Sequence, residues 1–545
     1  MNAPVLLGPN GLPLPARRRS MASIGNGGSY DAASQTSQEM TGWMPSYRSA
    51  DADVNPSRRD MVSRIRDLAR NDGWASGSIT RIVDSAVGAD LRPAPKPDFR
   101  SLAWYSPAFD ATWAAEFTSW AKGCWRDWAQ DPACWCDAAR QSTTGEQFQL
   151  SFRTMLTEGD AVATLPWRPE RMAYGRGHYA TTVALVEPDR LCNPNDMEDD
   201  ATHRGGVEID ADGAAVRYHF RDGHPGDWYA GASGFTWSSY ARETAWGRPV
   251  VVHYFEQDRI GQHRGVGVLA PVLSRMRMLS RYDSVELQAA VVNAILAAYI
   301  ESPFDSDLVR DSLSTEAELS GYQAERSKFH EDRRLSFNGV RLPTLFPGEK
   351  INTVAANRPS GNYPAFQAAI LRNIAAATGQ SEMQVSQDWS RTNYSSARAA
   401  LLETWKTITR RRSGFARGFA QPVWVAFLEE AMERDGPPMP NGAPDFAEMR
   451  GAYARCDWRG PGRGWVDPVK EPTGSQLRME MGVSTLEHEA SENAGMDYED
   501  VLDQRAIEVA AFKSRGLPLP SWAGAVAAAA VQAPANDSPQ AGDAT

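Results

Sequence analysis

The chemistry this 545-residue chain could do rests on eight histidines, five cysteines and 68 acidic residues, and their spacing decides. His488-Glu489 opens like a zinc-binding helix, where two histidines one turn apart share a face. Ser491 and Glu492 follow instead, and no second histidine comes. Cys124, Cys134, Cys136, Cys192 and Cys456 contain no C-x-x-C pair. Cys134 and Cys136 alone cannot build a tetrahedral metal site, so reduced thiols are expected. Gly231-Ala-Ser-Gly-Phe235 lacks the last glycine of a nucleophile elbow, and no phosphate loop is present. Asp210 and Asp212 begin like a calcium loop, but no bidentate Glu follows at the required distance. His253, inside Val-Val-His-Tyr-Phe, reads as a core or ladder residue, and Asp199-Asp200 and Glu429-Glu430 as solvated pairs. The expectation is a protein with no catalytic residues, no metal and no cofactor.

What remains is charge and shape. Basic residues number 57, giving a formal net charge of −11, and a protein gripping nucleic acid over its whole surface would carry the opposite sign. Outside the N-terminal arm, which carries Arg17-Arg18-Arg19, Arg410-Arg411-Arg412 is the one tight basic cluster, read either as a subunit or phosphate contact or as a plain solvated face. The longest apolar run, Ala289 to Ile300, is broken by Asn293 and falls short of the roughly 20 residues that span a bilayer. No signal-peptide order opens the chain, so a soluble protein made inside the cell is expected.

Apolar residues at 42% suit a globular protein, and the length asks for more than one structural unit. Residues 1–55, rich in Gly, Ser, Pro and Asn, read as a mobile arm, and 516–545 as a disordered tail. Residues 56–165 carry helical stripes, among them Val62/Ile65/Leu68, Trp113/Phe117/Trp120 and Phe148/Phe152/Met155. Period two then takes over: 180–187 reads as a strand, and Val207–Asp210 with Ala215–Phe220 as a hairpin turning at Asp212-Gly213. Long helices are expected over Val268–Ile300, Pro364–Thr378 (stopped by Gly379) and Tyr394–Met432, the last kinked or broken at Pro422. Residues 380–393 between the latter two read as a polar loop. Ser484 is expected to cap one late helix and Asp497 the last one.

Five segments, in order, resemble the lambda-type family of tailed-bacteriophage portal proteins. They are Asn71–Gly88; Leu185–Leu191 with Arg204–Asp210 and Tyr218–Phe220; His253-Tyr-Phe-Glu-Gln-Asp-Arg-Ile-Gly-Gln-His-Arg-Gly265, the most specific; Phe346–Glu349 with Asn362–Phe366 and Asn393–Ala399; and Trp465–Lys470. The chain departs from the family pattern at Glu158-Gly-Asp160, and those carboxylates are given no role.

The resemblance implies a mixed α+β, helix-rich subunit with wing, stem, clip and crown. The wing would be 56–265, the first stem helix 266–300, the clip 301–357 and the second stem helix 358–379. The tunnel loop would be 380–393, with a wing-crossing helix and loop over 394–469 and a helical crown over 470–515. It further implies a ring of about twelve subunits at a unique capsid vertex of the virion, made in the cytoplasm of a bacterial host. Double-stranded DNA would pass through it without sequence specificity during packaging and ejection. Its partners would be the terminase large subunit, a major capsid or scaffold protein and head–tail connector proteins, with no membrane. Gln384, Ser386, Gln387, Trp389 and Arg391 would be the loop residues nearest the DNA. The alternative is a metal-dependent DNA-processing enzyme such as a nuclease or terminase subunit, which would need carboxylates converging on metal ions.

Overall fold

The computed structural model describes residues 31–33, 37–229, 231–295, short pieces between 299 and 352, 363–390, 392–520 and 522–523. The arm before residue 31, most of the expected clip and the tail beyond 523 lie outside the described residues.

Helix α1 spans Ala50–Asn71, starting inside the segment expected to be a mobile arm. Ser49 caps it by accepting the Ala52 N–H, and Asp51 and Asp53 complement the positive end of its dipole. Asp72 ends that helix and caps α2 (Gly73–Ala86). After β1 (Arg92–Pro95) come α3 (Phe99–Leu102), α4 (Ala111–Ala129) and α5 (Thr144–Glu158), the last opened by a Thr143/Glu146 capping box. Trp113, Phe117, Trp128, Phe148, Phe152 and Met155 are buried, as their spacing predicts.

The β-rich part holds β2 (Asp160–Thr164), β3 (Ala184–Leu185), β4 (His203–Arg204), β5 (Val207–Ile209), β6 (Ala215–Arg221), β7 (Trp237–Ala241) and β8 (Val251–Phe255). They form two antiparallel sheets, ordered β3-β2-β8 and β4-β5-β6-β7. The expected hairpin is β5–β6: Asp210 Oδ1 accepts the N–H groups of Asp212 and Ala214 across the turn. The strand expected at 180–187 shrinks to two residues. Ala180 and Thr181 give their N–H groups to the carboxylate of Glu430, which is buried and not solvated as its sequence suggested. Its partner Glu429 is engaged too, by Arg248 and Trp246.

A 3-10 turn containing Pro271 leads into α6 (Leu273–Ile295). Beyond it, β9 (Tyr299–Glu301) pairs with β12 (Lys350–Asn352), and β10 (Leu335–Phe337) with β11 (Val340–Leu342), both antiparallel. The ladder of β9 and β12 places the start and end of the intervening segment side by side. Then come α7 (Tyr363–Thr378), α8 (Glu382–Ser386), α9 (Tyr394–Phe415) and α10 (Gln421–Asp435). Pro422 does not break the last pair apart. A π turn over Ala416–Ala420 precedes it, and the proline sits in the first turn of α10, where its missing N–H is tolerated. The chain ends with α11 (Arg450–Tyr453), β13 (Cys456–Arg459, paired with β1), α12 (Lys470–Glu480), α13 (Leu486–Glu489) and α14 (Tyr498–Ser514). Thr485, not Ser484, caps α13, and Asp497 caps α14 as expected.

One large apolar core joins α1, α2, α4, α5, the first turns of α6, the end of α7 and the stretch from α9 to α10. One of its close seams is β8 against the π turn. There a Cβ on Gly418 would lie 2.2 Å from Tyr254 Cδ2, so the ring rests on bare backbone. Gly418→Ala is therefore expected to destabilise the protein by about 1–3 kcal/mol through overpacking. Gly123→Ala, exposed inside α4 with open space around its Cβ, should stabilise by roughly 0.5–1 kcal/mol. Thermal midpoints of the two variants should move in opposite directions.

Candidate functional site

Asp160, the first residue of β2, is fully buried. Its Oδ2 lies 2.7 Å from Arg58 Nη2 and 2.9 Å from Arg264 Nε; its Oδ1 accepts the Gly265 N–H at 2.7 Å and meets His253 Nε2 at 3.1 Å. Arg264 also donates to the carbonyls of Pro188, Leu191 and Gly205, and Arg58 to that of Glu158. Burial would raise the Asp160 carboxyl, but Arg264, Arg58 and the His253 hydrogen bond outweigh it and hold it far below the ordinary carboxylate range. Burial and the neighbouring Arg264 push Arg58 down to about 10. An outer layer follows, in which Arg66 pairs with Glu158, Glu187 and Asp189. The polar groups of this cluster are spent on one another, and the arrangement offers a joint rather than a reaction centre.

The backbone approach at this joint is equally close. Gly159 has φ +94°, and a Cβ on Gly265 would fall 1.9 Å from the Gly159 carbonyl oxygen. His253, Arg264 and Gly265 all come from the segment singled out as the most family-specific. That specificity was the available signal for the joint, while Asp160 itself had been given no role.

The expected tunnel loop is only partly a loop. Ser381 and Gln384 form a capping box that opens α8, and Thr404 Oγ1 donates to Gln384 Oε1 at 3.0 Å. Gln384 is thus tied into the fold, and Val385 beside it is buried. Ser386 Oγ accepts the Asp388 N–H, and Gln387, at φ +57°, donates from its side chain to the Gln384 carbonyl. The exposed part is 387–390, where Trp389 is 40% exposed. Arg391 lies outside the described residues.

The three consecutive arginines of α9 separate. Arg411 is buried, donating to the Thr378 carbonyl and pairing with Glu256. Arg412 donates to the carbonyls of Ser85, Ala86 and Pro461 and covers the Trp405 ring. Neither is available to a phosphate or a neighbouring subunit, because successive positions on a helix point about 100° apart and these two face the core. Arg410 remains on the surface.

Helices α6 and α7 pair. Tyr282 stacks on Tyr363 with ring centroids 5.7 Å apart and packs against Phe366, while the Tyr363 hydroxyl donates to Asp283. Leu371, Ile374 and Ala375 of α7 and Met276 and Leu279 of α6 anchor this pair in the main core. Met278, on the outer side of the rooted turns, is 64% exposed, and farther along α6 Val285 and Leu287 are exposed as well. Among the described residues no helix is long and apolar enough to cross a membrane.

A helix-rich α+β subunit whose buried charges serve its own joints, and from whose core a helix pair extends, defines an architectural protein. Residues 36–412 match the family described as phage portal protein, lambda family. The chain is 31% identical over 539 residues to the portal protein of Escherichia phage N15, covering 98% of both. It is 31% identical over 530 residues to portal protein B of Escherichia phage lambda, covering 96% of this chain and 95% of that one. Among solved structures it is similar to a chain in the neck of a native GTA particle computed with C12 symmetry, with TM-score 0.46, 14% identity and coverage of 79% of this chain and 92% of that one. The chain belongs to the lambda family of phage portal proteins, a structural family and not a catalytic one.

The Asp160 joint gives a direct test. Asp160→Asn leaves two buried guanidinium groups short of their carboxylate and should cost about 3–5 kcal/mol at pH 7. The native carboxyl titrates below its unfolded value of about 3.9, so its contribution is complete above that value and drains as pH falls toward the native one. Urea unfolding at several pH values should show the gap between wild type and variant narrowing below about pH 4.

Proposed function

We propose that this portal protein works as a closed ring of about twelve copies at one vertex of the virion, with duplex DNA passing along the axis in packaging and ejection. The carrying observation is the α6–α7 pair. Among the described residues its core anchors lie at the start of α6 and the end of α7, and Met278, Val285, Leu287 and Phe366 are exposed. A second copy of the same pair would bury those side chains, and repeating the contact around an axis closes a ring. Ala365, Ala369 and Ala376 on the exposed face of α7 would let neighbouring helices approach closely.

Net charge supports a conduit. Duplex DNA carries one negative charge about every 1.7 Å, and a basic lining would hold it by sequence-independent ion pairing. Twelve copies carry a formal charge of about −130, which favours sliding over gripping. The exposed tip at 387–390 supplies the few contacts such a channel needs, with Trp389 and Gln387 in that role. Gln384 and Ser386 shape the tip from behind. Arg410 alone of its triplet is left as a subunit or phosphate contact. The segment between β9 and β12 is the reading for the clip that docks the terminase large subunit and later the head–tail connector proteins. The wing would face the major capsid or scaffold protein. Synthesis in the host cytoplasm belongs to the same reading.

Negative-stain microscopy of the purified full chain should show rings with a central hole, and a strictly monomeric species would overturn the proposal. Trp389→Ala should keep the rings and reduce DNA retention or translocation in a packaging assay. Loss of ring formation in that variant would make the tryptophan a subunit contact.

A further inference from the structure

Three strands of the outer sheet set a histidine, a glutamate and a second histidine on one patch. His203 lies opposite Glu208 in the β4–β5 ladder. Glu208 lies opposite Arg217 across β5–β6, so His219, two residues on, falls diagonally on the same face. One ligand atom from each of the three residues can be chosen so that all lie within 4.8 Å of one another. A tetrahedral site with bonds of ~2.1 Å needs roughly 3.4 Å between ligand atoms, a closure that side-chain rotation supplies.

The surroundings are those of a metal ligand set. His219 is 7% exposed, and its Nε2 stands 3.3 Å from Glu208 Oε2 without the geometry of a hydrogen bond. Its Nδ1 lies 2.7 Å from Ser239 Oγ on β7. In the tautomer with the proton on Nδ1 and donated to that hydroxyl, the Nε2 lone pair faces the carboxylate, and a cation between the two makes that arrangement favourable. His203 Nδ1 is engaged by Thr202 Oγ1 at 3.0 Å and by the Asp200 carboxylate at 3.3 Å, which leaves its Nε2 as the ligand atom. A carboxylate behind a histidine is the usual outer support of a ligating imidazole.

We propose that His203, Glu208 and His219 bind a divalent transition metal of the zinc type. Two imidazoles and one carboxylate suit Zn2+ and leave further positions to water. The spacing 203/208/219 matches no linear motif, which is why the sequence reading found no metal site; the hairpin register creates it. The metal would staple β4, β5 and β6 together. That matters because β4 is only two residues long and a ladder so short has little stability of its own. Arg217 Nε, 3.4 Å from Glu208 Oε2, is the competing cation, and its half-exposed side chain can swing into solvent. The other such group of three among the described residues, Glu187, Asp189 and His224, is held more tightly by arginine, since Arg66 lies 3.0 Å from Glu187 and 2.6 Å from Asp189. The proposal stands on the sheet geometry and is independent of the ring reading.

The test uses untagged full-length protein stripped with a chelator. Co2+ titration should produce visible d–d absorption of an N/O-ligated site saturating at about one ion per chain. Zn2+ should displace the Co2+ and raise the thermal midpoint. Competition with a chromophoric chelator should show His203→Ala and Glu208→Gln each weakening Zn2+ binding by about tenfold or more. His488→Ala, exposed and far along the chain, should leave it unchanged. His203 lies on a partly exposed strand, and the wild-type Co2+ spectrum reads the site even where a variant folds poorly. Absence of the Co2+ spectrum, or undiminished Zn2+ binding in both variants, would overturn the proposal.

Discussion

The fold depends on one buried carboxylate. Asp160 has no contact with water, and removing an ion from water costs several kcal/mol unless charges and hydrogen bonds of good geometry replace the hydration. Four groups do so here, and they arrive from α1 (Arg58), from β8 (His253) and from the turn that follows it (Arg264 and Gly265). Because each supplies a direction as well as a charge, the cluster fixes how the leading helices, the inner sheet and the approach to α6 meet. The contact of Gly159 with Gly265 leaves no room for an alternative packing at the same spot. The origin of α6, only eight residues beyond Gly265, is set by this joint.

That dependence explains what could be read in the sequence. Apolar stripes are local, and the helices carrying Ile65, Phe117, Phe152 and Ile408 form where their periodicity places them, with those side chains buried. The β5–β6 hairpin is local too, since Asp210 and Gly213 complete its turn without outside help. Buried polar groups are another matter. The role of Glu430 is to receive two N–H groups from residues 249 and 250 positions away, and that of Arg412 to reach carbonyls more than 320 positions back. No window of sequence contains both halves of such a pair, so Glu430 looked solvated and the arginine triplet looked like a patch. At the start of α1, Pro56 and the polar composition obscured a helix whose true beginning is set by Ser49. In the loop after Gly379, the Ser381/Gln384 capping box carried the helical signal, overlooked amid the polar residues around it.

The π turn shows how continuity is kept where it matters. An unbroken α-helix from Tyr394 to Asp435 would set Pro422 against the carbonyl of Gly418, which the proline ring excludes. Widening one turn over Ala416–Ala420 removes that clash and lets the rod continue, so one element links the exposed loop tip at one end to the aromatic core of Trp424 and Phe427 at the other. The same turn brings Gly418 onto Tyr254, next to His253 and the Asp160 cluster.

The buried carboxylates of this architecture hold elements together. Catalysis by metal-assisted hydrolysis needs carboxylates that converge on a cation and remain open to substrate. Two of the buried carboxylates, Asp160 and Glu430, are engaged by arginines, a histidine and backbone amides. Their charge is used up in positioning. Large apolar side chains stand exposed on the outer α6–α7 pair as at other places on the subunit, and apolar surface is satisfied by another protein surface. Exposed apolar side chains on a helix pair whose root lies in the core suit a chain that is one part of a larger assembly.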